Sequence, residues 1–144
     1  MALTDRSSQP AAAPDLRRVG GLAAGDFVAF NLVTAIGLLN HSRLASLDGL
    51  LEVMTIAAPF AAGWFVVAPF FGLFRREVAG RPRAALPRVA LAWLVALPIG
   101  LLLWSLVRQK SVQPAFAIVT FITNLVVLLG WRGAFAWLAG RAKA

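Results

Sequence analysis

Cysteine is absent from the 144-residue chain, and histidine occurs only once. Without cysteine the chain can form no disulfide, thiolate nucleophile, zinc–thiolate site or iron–sulfur cluster of its own. A lone histidine cannot supply both ligands of a bis-histidine haem site. Charge is also scarce, because charged residues make up 14% of the chain, against about 25% in soluble proteins.

Catalytic motifs are missing as well. No nucleophile–base pair stands out, and the stretch GLAAGD at 21–26 lacks the lysine and the spacing of a phosphate-binding loop. We therefore expect a protein that is not an enzyme and that carries no cofactor.

Apolar residues, in contrast, are abundant. They form 60% of the chain, and the mean hydropathy is +0.78. A chain of this length cannot bury so much apolar surface in its own core, because small domains leave much of their surface exposed. The composition predicts that the excess faces lipid.

Four apolar segments predict the fold. They cover about 19–39, 53–74, 89–107 and 112–131, and a helix needs about 20 residues to cross the hydrocarbon layer. They do not alternate apolar and polar residues as barrel strands do, and helices satisfy the backbone in lipid. We predict an all-α, antiparallel bundle of four transmembrane helices over 19–140. Residues 1–18 and 141–144 are predicted to be cytoplasmic tails, the first of them flexible.

Basic residues predict the orientation. The net charge is +8, but the basic residues lie between apolar blocks, a pattern that favours the membrane over nucleic acid. Eleven lie on one side of the predicted spans and three on the other. The eleven are Arg6, Arg17, Arg18, Arg75, Arg76, Arg81, Arg83, Arg88, Arg132, Arg141 and Lys143, and the three are Arg43, Arg108 and Lys110. This bias predicts that both termini are cytoplasmic.

Three stretches together resemble a known family. They are GDFVAFNLVTAIG with Asn40-His41 (25–41), APFAAGWFVVAPFFG (58–72) and PAFAIVTFITNLVVLLGWR (114–132). In order and spacing they are similar to the domain-of-unknown-function 3054 family of small four-helix bacterial membrane proteins, over roughly 20–133. Leu38-Leu39-Asn40 stands where relatives often carry basic residues before the histidine. The resemblance implies this fold and a location in a bacterial inner membrane, but no activity.

Asp26 is the most unusual residue of the first span. A carboxylate about 7–10 Å inside the span is costly against lipid, so it should face the bundle and find a partner. Arg132 ends the fourth span on the same side, and its guanidinium can pair with a carboxylate in two-pronged fashion. The two form either a structural ion pair, which we favour, or part of a proton or ion path.

Polar side chains form two further stripes. Asn31 and Thr34 share a face of the first helix, and Thr120, Thr123 and Asn124 share a face of the fourth. We expect interhelical hydrogen bonds from these residues. A polar channel or headgroup pocket is the alternative.

Proline, glycine and aromatic residues mark the second helix. Pro59 and Gly63, with Pro98 in the third span, predict kinks and close packing. Trp64 belongs to a group of aromatic side chains on this helix. We expect them to pack in the core or face lipid. Contact with a flat apolar cofactor such as a carotenoid or quinone is the alternative.

His41, Asp48 and Glu52 lie near the opposite ends of the first two spans. Together they are weak candidates for a metal site. The simpler interpretation is that Asp48 caps the second helix and Glu52 complements its positive end.

These features predict a small accessory, assembly or structural component of a larger membrane complex. Its expected partners are the bilayer and other membrane protein subunits or further copies of the chain. Two alternatives stay open. One is a proton-coupled transporter or channel that uses Asp26, and the other is a binder of an apolar pigment, quinone or lipid.

Overall fold

A computed structural model describes residues 15–39 and 47–141. Five helices occur in this part of the chain: α1 Leu16–Leu39, α2 Leu47–Val67, α3 Arg76–Ala79, α4 Pro82–Arg108 and α5 Pro114–Arg141. The described residues contain no strand. Residues 1–14, 40–46 and 142–144 lie outside the described residues, and with them most of the predicted first tail and His41.

The four long helices form the predicted bundle. Helix α1 packs against α2 and α5, and α4 packs against the same two helices, so the order around the bundle is α1, α2, α4, α5. All four are long and apolar enough to cross a membrane. This confirms the all-α fold class and the four predicted spans as helices.

Three aromatic rings from three helices form the centre of the core. Phe30 of α1, Trp64 of α2 and Trp93 of α4 are almost fully buried, and their ring centroids lie 5.4–6.4 Å apart. Trp93 also donates its indole N–H to the carbonyl of Phe121 on α5, at 3.0 Å. The core therefore joins all four long helices.

Helix α2 ends earlier than the predicted span. The span was expected to reach 74, but the helix stops at Val67 and residues 68–74 form a series of turns. Pro69 has no backbone N–H and disfavours helical geometry at the residue before it. Gly72 then takes a positive φ of 66°, which glycine adopts without steric cost. The turns return Leu73 to the interior, where it is fully buried.

Helices α4 and α5 are longer than predicted. Helix α4 begins at Pro82 rather than near 89, with proline in the first turn, where its missing N–H costs nothing. Helix α5 continues to Arg141, so 133–140 extends the fourth span. Its 28 residues measure about 42 Å at 1.5 Å per residue. This length matches a bilayer with its headgroup layers, about 40–45 Å.

Glycine allows α2 and α4 to approach closely. A Cβ added to Gly63 would lie 2.9 Å from the carbonyl oxygen of Ala96, and one added to Gly100 would lie 2.7 Å from Phe60 Cδ1. Pro59 and Pro98 lie inside the same two helices, which continue past them. The glycines therefore determine the distance between these helices.

Candidate functional site: a buried ion pair between helices

Asp26 lies fully buried on α1, ten residues after the helix begins. Its Oδ1 accepts a hydrogen bond from Arg132 Nε at 2.8 Å. Its Oδ2 accepts one from Arg132 Nη2 and another from Trp64 Nε1, the latter at 2.8 Å. Both carboxylate oxygens are therefore occupied by donors from α5 and α2.

Arg132 completes the site from α5, nine residues before that helix ends. Its remaining nitrogen, Nη1, donates to the carbonyl oxygen of Leu73 at 2.8 Å. The guanidinium carbon also lies 5.0 Å from the ring centroid of Phe74 and 5.9 Å from that of Trp64. Only 2% of Arg132 is exposed, so the cation is enclosed by a carboxylate, a carbonyl and two aromatic rings.

The register of the helices explains why this pair forms. Helices α1 and α5 meet with the start of one beside the end of the other, and the two charged residues lie at nearly equal depths from those ends. Gly25 lets α1 approach Trp131 closely, since a Cβ there would overlap the indole ring. The turns at 68–74 bring the Leu73 carbonyl to the same level.

The arrangement is a two-pronged arginine–carboxylate pair in an apolar interior. Such a pair is stable only when further hydrogen bonds satisfy the remaining polar atoms. Trp64 and Leu73 supply those bonds. The geometry fixes three helices and one turn to each other and leaves neither carboxylate oxygen without a donor.

Trp64 has a role that the sequence did not reveal. It was expected to pack, but its N–H also binds the carboxylate. A buried tryptophan usually needs an acceptor for its N–H, so a tryptophan inside an apolar helix indicates that an acceptor lies nearby. The acceptor could not be named, because 38 residues separate the two in sequence.

The polar stripes bond differently from the prediction. Asn31 and Thr34 donate to carbonyls of α1, and Thr123 and Asn124 donate to carbonyls of α5, in each case four residues back along the same helix. The observed bonds are thus within helices and not between them. A hydroxyl or amide can satisfy itself on the preceding turn without a partner helix.

A cavity of about 600 Å³ lies beside these stripes. It runs between α1 and α5 on the far side of Phe30 from Asp26, and the part of its lining that the structure describes contains no charged residue. Thr120 lines it, is only 8% exposed and makes no side-chain hydrogen bond within the described residues. The described lining is therefore apolar, with one unpartnered hydroxyl.

The metal candidates are only partly described. His41 lies outside the described residues. Asp48 is exposed in the first turn of α2, and Glu52 lies 3.7 Å from Arg108 of α4. Within 15–39 and 47–141 no three His, Cys, Asp or Glu residues cluster. The metal site that includes His41 thus stays a prediction.

Four helices of spanning length around a buried ion pair define a polytopic membrane protein of helical-bundle type. Within that class, the chain belongs to the family described as protein of unknown function (DUF3054), whose model matches residues 23–135. The match includes both Asp26 and Arg132 and confirms the predicted family. No curated protein and no solved structure matches the chain.

Proposed function

We propose that this chain is a non-enzymatic accessory or assembly component of a larger membrane complex. The observation that carries the proposal is the closed Asp26–Arg132 network. Its charges neutralise each other inside the bundle, and Trp64 and Leu73 occupy the positions around them. A group enclosed in this way suits a fixed helix contact, whereas a transport site needs a titratable group in contact with a water-filled path.

Exposed small residues support association with another subunit. Ala58 and Ala62 lie one turn apart on α2, and both face outward. Small residues at this spacing let two membrane helices approach closely. Since no described residue covers this face, we assign it to a helix of another subunit or of a second copy.

The proposed location is a bacterial inner membrane with both termini in the cytoplasm. The arginine-rich end, where α1 begins, α4 begins and α5 ends, carries most of the basic residues. Basic segments next to membrane helices are retained on the cytoplasmic side.

The test is the mass of the protein after gentle extraction from its native membrane. We expect native mass spectrometry to find the 15.4-kDa chain within a larger assembly that contains other chains. Ala62→Leu should dissociate that assembly, because a bulky side chain prevents close helix contact. Ala115→Leu, an exposed alanine on α5, is the matched control. A lone chain in every mild detergent would contradict the proposal.

The transporter alternative is tested separately by flux. Purified protein in liposomes should show no proton flux above that of empty vesicles, since Asp26 is fully buried and its oxygens are occupied. Flux that disappears in Asp26→Asn would establish transport and overturn the structural role.

The cavity favours one second candidate, a binder of an apolar pigment, quinone or lipid. Its volume of about 600 Å³ falls within the range of about 300–1,000 Å³ typical of small-molecule sites. An absorbance spectrum and solvent extraction of the purified protein test this candidate. Thr120→Val should weaken retention of the molecule, while Thr55→Val on the exposed face of α2 should not. Protein that extracts without any bound apolar molecule would exclude it.

A further inference from the structure

Arg18 is a second cation whose charge the described residues do not balance. It lies in the first turn of α1 and is partly buried. Its Nε and Nη2 atoms are buried and have no hydrogen-bond partner in the structure. Burying such donors without an acceptor is costly, so Arg18 needs an acceptor that residues 15–39 and 47–141 do not supply.

The surroundings of Arg18 form a niche at the arginine-rich end. The guanidinium lies 5.6 Å from the ring centroid of Phe135 on α5. Its Nη2 approaches Gly80 in the turn before α4 so closely that a Cβ there would lie 3.0 Å away. The ring of Phe135 and the space left by Gly80 thus hold the guanidinium of Arg18 in place.

The charge around the niche identifies the ligand as an anion. Exposed arginines from three parts of the chain surround this end, namely Arg17, Arg75, Arg76, Arg81 and Arg83. Two exposed carboxylates, Asp15 and Glu77, lie next to these arginines in sequence, and Asp15 accepts the backbone N–H of Arg18. Neither forms a salt bridge with Arg18 within the described residues. A positive surface of this kind concentrates anions.

The depth of the niche suits a phosphate at the membrane surface. Helix α1 has 24 residues and is about 36 Å long, so its first turn extends past a hydrocarbon layer of about 30 Å. Arg18 therefore lies at the level of the headgroups. A guanidinium binds phosphate through paired, charge-assisted hydrogen bonds.

We propose that Arg18, with Phe135 and Gly80, forms a binding site for a phosphate group at the arginine-rich end. An anionic phospholipid is the source that its depth favours. This site is separate from the buried pair and from the cavity, and it does not depend on the proposed function.

The test measures ligand binding to delipidated, full-length protein by native mass spectrometry. We expect phosphatidylglycerol to bind at least about tenfold more tightly than diacylglycerol, which has the same tails and no phosphate. Arg18→Gln should remove that preference. Arg17→Gln, which removes the same charge from an exposed neighbour, should change the affinity less than about threefold, as expected for a screened surface charge.

A parallel thermal-shift titration with inorganic phosphate distinguishes the source. If free phosphate is the ligand, it raises the Tm of the wild type but not of Arg18→Gln, and phosphatidylglycerol shows no preference. If Arg18→Gln does not fold, Arg18→Lys keeps the charge but loses the paired donors of the guanidinium, and it should lower the preference for phosphatidylglycerol. The proposal is overturned if the variant at Arg18 binds both ligands as Arg17→Gln does.

Discussion

Asp26 shows how a charged residue is accommodated in an apolar interior. Removing a charge from water is expensive, and the attraction of a buried partner offsets that cost only when the geometry is good and the remaining polar atoms are satisfied. Arg132 provides two of the three hydrogen bonds to the carboxylate and Trp64 provides the third. The network is therefore balanced only while all its members are present.

Replacement of Asp26 by asparagine should destabilise the protein. The change leaves the Arg132 cation buried without a carboxylate, so we expect the free energy of unfolding to fall by about 3–5 kcal/mol. Unfolding in detergent micelles, followed by tryptophan fluorescence, measures the change. Asp48→Asn is the control, because Asp48 is exposed and its loss should cost about 1 kcal/mol or less. Equal effects of the two changes would refute the structural importance of the pair.

For the buried ion pair, the sequence could predict which two charged residues meet but not which other groups surround them. A carboxylate and an arginine near the same end of two apolar spans are natural partners. The indole of Trp64 and the carbonyl of Leu73 were not predictable as their neighbours. Leu73 reaches the site only because α2 ends at Val67 and the chain turns back.

The helices differ from their predicted spans mainly in the residues at which they begin and end. Hydropathy continues through Pro69 to Phe74, so a composition window cannot detect where the backbone leaves the helix. Proline and a glycine with positive φ decide that point locally. The extension of α5 to Arg141 crosses the stretch GAFAWLAG (133–140), which contains no helix-breaking proline.

Gly63→Ala should weaken the packing of α2 against α4. A Cβ there would lie 2.9 Å from a carbonyl oxygen and 3.1 Å from a backbone nitrogen of α4, so α2 and α4 must move apart. We expect a loss of about 1–3 kcal/mol in the free energy of unfolding. Thermal unfolding in detergent measures it.

The matched control is Gly130→Ala in α5, where nothing lies within 4 Å of the added Cβ. It should be neutral or stabilise by about 0.5–1 kcal/mol, since alanine favours helix. If Gly63→Ala behaves like Gly130→Ala, the close packing of α2 on α4 is wrong.

The whole molecule combines a charged interior pair with an apolar exterior. Large apolar side chains are exposed along all four long helices, for example Val28, Leu51, Leu102 and Val126. The sequence predicted this surface from composition alone, because a chain of 144 residues cannot bury it. Which face of each helix turns inward was less predictable, since the helices are apolar on every side.

The predicted orientation can be tested by labelling introduced cysteines, because the chain has no cysteine of its own that would react. Glu77→Cys at the arginine-rich end and Ser111→Cys in the opposite turn are both exposed positions. In intact bacterial cells, a membrane-impermeant maleimide should label Ser111→Cys but not Glu77→Cys until the membrane is permeabilised. The reverse pattern would invert the proposed topology.

The double variant Asp26→Leu/Arg132→Met, unfolded beside Asp26→Asn in the same detergent, tests most directly whether the pair is a structural contact. A pair that only holds helices together can be replaced by apolar side chains of similar size with little loss. We predict that the double variant is more stable than Asp26→Asn, although Trp64 Nε1 and the Leu73 carbonyl lose their partners, and that it keeps the assembly found after gentle extraction. A stable double variant that no longer assembles, or one as unstable as Asp26→Asn, would contradict the account.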